Sequence, residues 1–133
     1  MMSTDSTSGE VCPSSGFSVA GVRVRNGAML APMSGVTDAP FRRAAWNLGA
    51  GLVVSEMTAS EALASDEGWA RQRTESDGTG IKVVQLAGCQ ARWMREGARI
   101  AAAEGADIID INMGCPARRV TTGYAGSALM RDL

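Results

Sequence analysis

The segment DINMGCPARRV, residues 110–120, decides how this chain is read. It closes an apolar strand, DIIDIN (107–112), and turns through Asn112-Met113-Gly114-Cys115-Pro116 toward Arg118 and Arg119. A thiol set between Gly and Pro sits in a tight turn. The chain has three cysteines and no histidine. That removes Ser-His and Cys-His nucleophile pairs and His-metal sites together. A free thiol has a pKa near 8.5, so it is mostly protonated at neutral pH. A nucleophilic cysteine needs that value lowered, usually by His or a helix N-terminus. Cys115 therefore suits a general acid, giving one proton to a carbon or oxygen. A structural role fits Cys89 and Cys12.

Moving back from this segment, apolar runs recur at AMLAPM (28–33), LVVSE (52–56), IKVVQL (81–86) and DIIDIN (107–112). Their starts are 24, 29 and 26 residues apart. Helical patterns fall between them. Thr37 or Asp38 caps the first, with Pro40 in its first turn and Phe41, Ala44, Ala45 and Leu48 on one face. Thr58 with Glu61 reads as a capping box for an Ala-rich helix. SDEGWARQRTESDGTG reads as a polar loop. A helix over 90–104 presents Met94, Ala98 and Ala101, and Gly105 closes it. FSVAGVRVRNG, ending in Asn26-Gly27, reads as a short hairpin ahead of the series.

This β-α alternation predicts a parallel sheet covered by helices. Two α/β architectures compete, a doubly wound sheet and part of a (β/α)8 TIM barrel. The first calls for a glycine fingerprint after strand one, and none is present. The second is favoured by where polar residues fall. Gln85, Asp110 and Asn112 interrupt strands that should be apolar throughout, and they do so near the C-terminal ends, where barrel active sites lie. A full barrel takes about 250 residues. The expected architecture is the N-terminal half of a barrel, about four βα units, truncated at Leu133.

Composition narrows the rest. The chain has 133 residues, 45 % hydrophobic and 20 % charged, which is enough for one packed domain. Residues 1–16 are Ser/Thr/Gly-rich and read as a disordered tail, leaving residues 17–133 as a partial barrel domain. That tail lacks the basic and apolar blocks of a signal peptide. No run of about 18 apolar residues is present, so no membrane span is expected. Three unpaired, widely spaced cysteines without histidine point to a reducing cytoplasm and to no metal site. Net charge is −1, so attraction to nucleic acid must come from local basic surface. Arg118 and Arg119 are candidates to hold phosphates of a large substrate. A lone acid cannot do redox work, so a cofactor must supply the hard step. Pro32 at the end of strand one, beside Ala31, and the amide of Gln85 suit a flat heteroaromatic ring with an imide edge.

LAPMSGVTDAPFRRAAWNLGA, VVQLAG and DINMGCPARRVTTGYAGSALMRD together resemble the tRNA-dihydrouridine synthase family, nearest its bacterial B-type branch. The resemblance runs from about residue 17 to residue 133. It implies an FMN enzyme on a (β/α)8 barrel that reduces the C5–C6 bond of selected tRNA uridines, with NADPH recharging the flavin and a monomeric full-length form. By position, Pro32 and Met33 would lie against the flavin and Gln85 would bond its pyrimidine edge. Asn112 would hold the target uracil, and Cys115 would give a proton to C5 as hydride reaches C6. The family often carries lysines where Arg118 and Arg119 stand. Its later flavin Lys and His, its phosphate loops and its helical tRNA-gripping domain have no counterpart here, so the segment alone is expected to be inactive.

Two other readings share these residues. Dihydroorotate and dihydropyrimidine dehydrogenases also carry an Asn-x-x-Cys-Pro loop on a flavin barrel, typically with Ser before the Cys. Gly114 favours the tRNA enzyme. A truncated module with no catalysis is the third.

Overall fold

The computed structural model describes residues 16–131. The expected tail, Cys12 included, lies outside the described residues except for Gly16. The first described element is a hairpin. β1 (Phe17–Val19) and β2 (Val22–Val24) pair antiparallel, with Val19 opposite Val22. Both turn residues have positive φ, Ala20 at 47° and Gly21 at 90°. That pair of signs is the type I′ turn, whose twist matches the flanking strands. Asn26-Gly27 lies beyond the hairpin. The Asn26 side chain donates to Gly49 O (2.9 Å) and accepts from Ala28 N–H (2.9 Å), tying the hairpin exit to the end of the first helix.

The following strands are parallel. β3 (Met29–Leu30) pairs with β4 (Leu52–Val53), and β5 (Thr58–Ala59) pairs with β6 (Val83–Ala87), which pairs with β7 (Ile108–Ile111). β3 is shorter than the run 28–33, since Pro32 has no N–H to give a ladder. The expected strand 52–56 is shortened to β4, and a second short strand, β5, follows beyond its end. Ser55 lies between the two: its N–H donates to Val83 O (3.1 Å), and its Oγ accepts from Gln85 N–H (3.0 Å). A side-chain oxygen thus stands where a ladder carbonyl would. Strands follow one another in chain order, joined by α1 (Ala39–Asn47), the pair α2 (Ser60–Ala64) and α3 (Gly68–Thr74), and α4 (Ala91–Ala103). α5 (Arg118–Thr121) and a 3₁₀ turn (Gly126–Arg131) follow β7.

Side chains alternate along a strand, so β6 has two faces. Val84 and Leu86 pack under the helices with Ala62, Leu63, Ala70 and Ala101. Met94 and Ala98 of α4 close on the same cluster, as the 90–104 pattern predicts, and Gly105 ends the helix at φ 86°. Val83 faces the other way, with Leu52, Val54 and Ile81, over Val24 of the hairpin. Burying one Leu such as Leu86 stabilises the fold by about 1.5–3 kcal/mol. Gln85 shares the face of Val83 and lies toward the C-terminal end of β6.

Three local expectations fail. Thr58 does not cap a helix: it sits in β5 and its buried hydroxyl has no partner among the described residues. α2 starts at Ser60, and its cap residue Ala59 makes no side-chain bond. The expected polar loop contains α3, whose inner face is only Ala70 and Thr74, both buried, too small a pattern to stand out. α1 forms with Asp38 as cap, its carboxylate accepting from Phe41 N–H, yet Phe41 and Leu48 are exposed. The buried side chain of α1 is Arg42.

Arg42 explains that inversion. Its Nε meets Asp77 Oδ2 at 2.5 Å and its Nη1 donates to Thr37 O (2.7 Å). Thr37 Oγ1 in turn accepts from Met33 N–H (2.9 Å), so the ion pair anchors the loop after β3. Burial pushes the Asp77 carboxyl up, but hydrogen bonds from Arg42 and Thr79 outweigh it and hold it below the ordinary carboxylate range. Removing one partner of a buried pair costs about 3–5 kcal/mol. Arg42→Met is therefore expected to lower unfolding free energy by that order in urea titration. Asp77 has a folded pKa below its unfolded value. Its stabilisation is complete above the unfolded value of about 4 and fades as pH falls through the lower folded one. Asp77→Asn should flatten that acid limb of stability against pH.

Candidate active site

The C-terminal ends of β6 and β7 place Gln85 opposite Asp110 in the parallel register. Gln85 is only 6 % exposed, so its amide must find partners inside the protein. Nε2 donates to Asp110 Oδ2 at 2.5 Å, and Oε1 accepts from Asn112 Nδ2 at 3.0 Å. Asn112 Oδ1 accepts from Cys115 N–H at 3.0 Å. An Asn bonding the backbone three residues on is a local turn-forming contact, which is why Asn ends this strand. Four residues that the sequence separates thus form one continuous chain of hydrogen bonds.

These residues border a cleft of about 550 Å³. Its walls are Pro32, Met57, Ile111, Met113 and Pro116, with Ser34, Gln85, Asn112, Gly114 and Cys115 supplying polar or flexible positions. Gln85 retains one N–H and one oxygen lone pair beyond the bonds named above. Apolar walls with one such amide fit a flat heteroaromatic ring with an imide edge. Among the described residues, none lining the cleft carries a positive charge, so this wall offers an anionic group no partner.

Cys115 is half-buried, and its thiol has no hydrogen-bond partner among the described residues. Its carbonyl accepts from Ser127 N–H at 3.0 Å, so the turn after β7 is pinned at both ends.

The family model described as dihydrouridine synthase matches residues 29–133. The chain belongs to the dihydrouridine synthase family. It is 62 % identical over 109 residues to a probable tRNA-dihydrouridine synthase of Rhizobium leguminosarum bv. phaseoli, covering 82 % of this chain and 34 % of that protein. A probable tRNA-dihydrouridine synthase of Rickettsia bellii is 47 % identical over 116 residues, 86 % of this chain and 36 % of the relative. The tRNA-dihydrouridine synthase B of Escherichia coli K12 is 46 % identical over 110 residues, 82 % of this chain and 34 % of the relative. The chain thus spans about a third of the length of the curated relatives it matches.

Of the residues singled out from sequence, Pro32, Gln85, Asn112 and Cys115 share the cleft. Met33 does not line it; its backbone is bonded to Thr37 and its side chain is 41 % exposed. Arg118 and Arg119 open α5, both exposed. Arg119 lines a neighbouring cleft with Cys89, Gln90 and Trp93, apart from the Cys115 wall. Cys89 is exposed, with Sγ donating to Gly123 O, so a buried structural role does not hold for it. Met57 is a cleft residue that the sequence reading passed over; its sulfur lies 3.7 Å from Asn112 Nδ2. Ending the second strand at residue 56 hid it, although the alternation Ser55, Met57, Ala59 marks the face.

The Cys115 turn depends on Gly126. Its φ is 61°, and a Cβ there would lie 2.6 Å from Cys115 O and 2.9 Å from Val120 Cγ1. Gly126→Ala should destabilise the protein by more than about 1 kcal/mol. Backbone NMR should localise the largest shifts to residues 115–127, whereas shifts spread evenly over β6 and β7 would contradict the assigned contact.

Proposed function

We propose that this chain forms the first four β/α units, residues 17–133, of a (β/α)8 barrel enzyme that reduces uridine to 5,6-dihydrouridine in tRNA. The observation that carries it is the cleft in which Gln85, Asn112 and Cys115 converge, on a chain of the dihydrouridine synthase family. FMN is the cofactor, held here by Pro32 and Gln85 of the cleft wall, with Met33, exposed beside Pro32 and outside the lining, meeting it from the rim. Reduced by NADPH, it supplies hydride for C6 of the base. Asn112 holds the uracil, and the target base must leave the tRNA stack to reach the cleft. Cys115 Sγ–H gives its proton to C5, which completes addition of two hydrogens across the double bond. Arg118 and Arg119, exposed at the start of α5, contact tRNA phosphates. The enzyme works in the cytoplasm, as a monomer in its full-length form.

Residues 1–133 by themselves are expected to be inactive. Among the described residues their cleft has no cation for a flavin phosphate, and β3, β4, β5 and β7 each pair on one side only. No helix of the described residues is long and apolar enough to cross a membrane.

The test supplies unmodified tRNA, FMN and NADPH to the chain alone and to the chain within a complete barrel, and measures dihydrouridine by mass spectrometry. The complete barrel should reduce tRNA and leave free uracil and orotate untouched. Cys115→Ala should slow it by about 10²–10⁴, the usual worth of a general acid, with flavin binding retained. Reduction of the free pyrimidines and not of tRNA would favour a pyrimidine dehydrogenase instead. Stoichiometric FMN binding and tRNA reduction by residues 1–133 would overturn the expected inactivity.

A further inference from the structure

We infer that Asp110 is a positioning residue that sets the donor and acceptor direction of the cleft wall and holds the Cys115 turn through Gln85 and Asn112. An ionised carboxylate only accepts hydrogen bonds. Asp110 Oδ2, 2.5 Å from the Gln85 amide, therefore selects Nε2 as the facing atom. Gln85 Oε1 must then face Asn112, 3.0 Å away, and selects Nδ2 there. Asn112 Oδ1 is left for Cys115 N–H, which can only donate. Both ends of the chain fix the same direction, so neither amide can turn over without breaking two bonds.

The consequence reaches the ligand. A primary amide turned by half a rotation exchanges its donor and acceptor, and would oppose an imide edge rather than match it. Asp110 itself is absent from the lining of the cleft. It acts on the ligand through Gln85, and on the proton-donating turn through Asn112. In naming the ring and the base as what the wall meets, the inference rests on the proposed flavin and uridine chemistry. The hydrogen-bond direction does not.

Hydrogen exchange of backbone amides, followed by NMR in the protein without flavin or tRNA, tests it. Asp110→Ala should speed exchange of the Cys115 amide about tenfold, the effect of losing roughly one net hydrogen bond. Val84 and Ile109 amides should keep their rates. Asp110→Asn retains an acceptor oxygen and should restore most of the protection. Asn112→Ala should match Asp110→Ala, and the double variant should exchange no faster than Asn112→Ala alone. One Gln85 side-chain proton should be shifted downfield and protected, and should lose both properties in Asp110→Ala. Should the alanine variant not fold, Gln85→Met cuts the chain at similar volume and should give the same rise at Cys115. Additive effects in the double variant, an unchanged Cys115 rate, or equal acceleration at Val84 and Ile109 would overturn the inference. Titrating FMN into the same variants carried within the complete barrel separates the two claims: the coupling seen in a complete barrel that binds no FMN would fail the flavin proposal and support the role of Asp110.

Discussion

A buried primary amide must be satisfied, and the arrangement at the strand ends follows from satisfying Gln85. Left without partners, such a group would cost on the order of 1–3 kcal/mol or more. β6 cannot supply those partners from its own backbone, because its N–H and C=O groups are used in the ladders to β5 and β7 and in the bonds to Ser55. The partners come from Asp110 of β7, directly opposite, and from Asn112, just past the end of that strand. Asn112 still has an oxygen to place, and it places it on the Cys115 N–H. The position of the thiol is thus a consequence of how one glutamine is buried.

The two faces of β6 divide the work. The face under the helices is apolar along its length, with Val84 and Leu86 packed on α2 and α4. The opposite face changes character partway along. At its N-terminal end Val83 joins Leu52 and Val54 over Val24 of the hairpin, which keeps water from that end. At its C-terminal end Gln85 and its partners take over. An apolar floor with a polar mouth lets the amides act in a site that is shielded on one side and open on the other. The hairpin, placed before the β/α series, is therefore part of how the site is made.

The repeat of strand and helix was legible in the sequence because parallel strands buried on both faces read as apolar runs, and α4 shows a full helical period. The polar positions Gln85 and Asn112 stood out because they break such runs. What escaped had weak or misleading signals. Ser55 uses a hydroxyl as a ladder acceptor, which no periodicity encodes, and so the shortening of the second strand and the exposure of Met57 to the cleft were missed. α3 buries only Ala70 and Thr74 among charged neighbours. α1 carries a convincing apolar face, yet it buries Arg42, because the ion pair to Asp77 lies 35 residues away in sequence. Polar pairs across such distances leave no local pattern.

The absence of histidine connects the chemistry to the geometry. A cysteine acting as nucleophile would need a cation or helix terminus near its sulfur; among the described residues the cleft lining has no cation, and α5, which begins just after the turn, has only four residues. A cysteine acting as acid needs the opposite: a neutral setting, a fixed backbone and an open side toward the acceptor carbon. The turn after β7 provides a fixed backbone, pinned by Asn112 at the Cys115 N–H and by Ser127 at its carbonyl. Among the described residues the uncharged lining also leaves an anionic phosphate without a partner at this wall. The proposed proton donation and the binding of a phosphate therefore call for different electrostatics, which the proposed barrel would meet with different parts. In that proposal residues 110–120 belong to the proton-donating part.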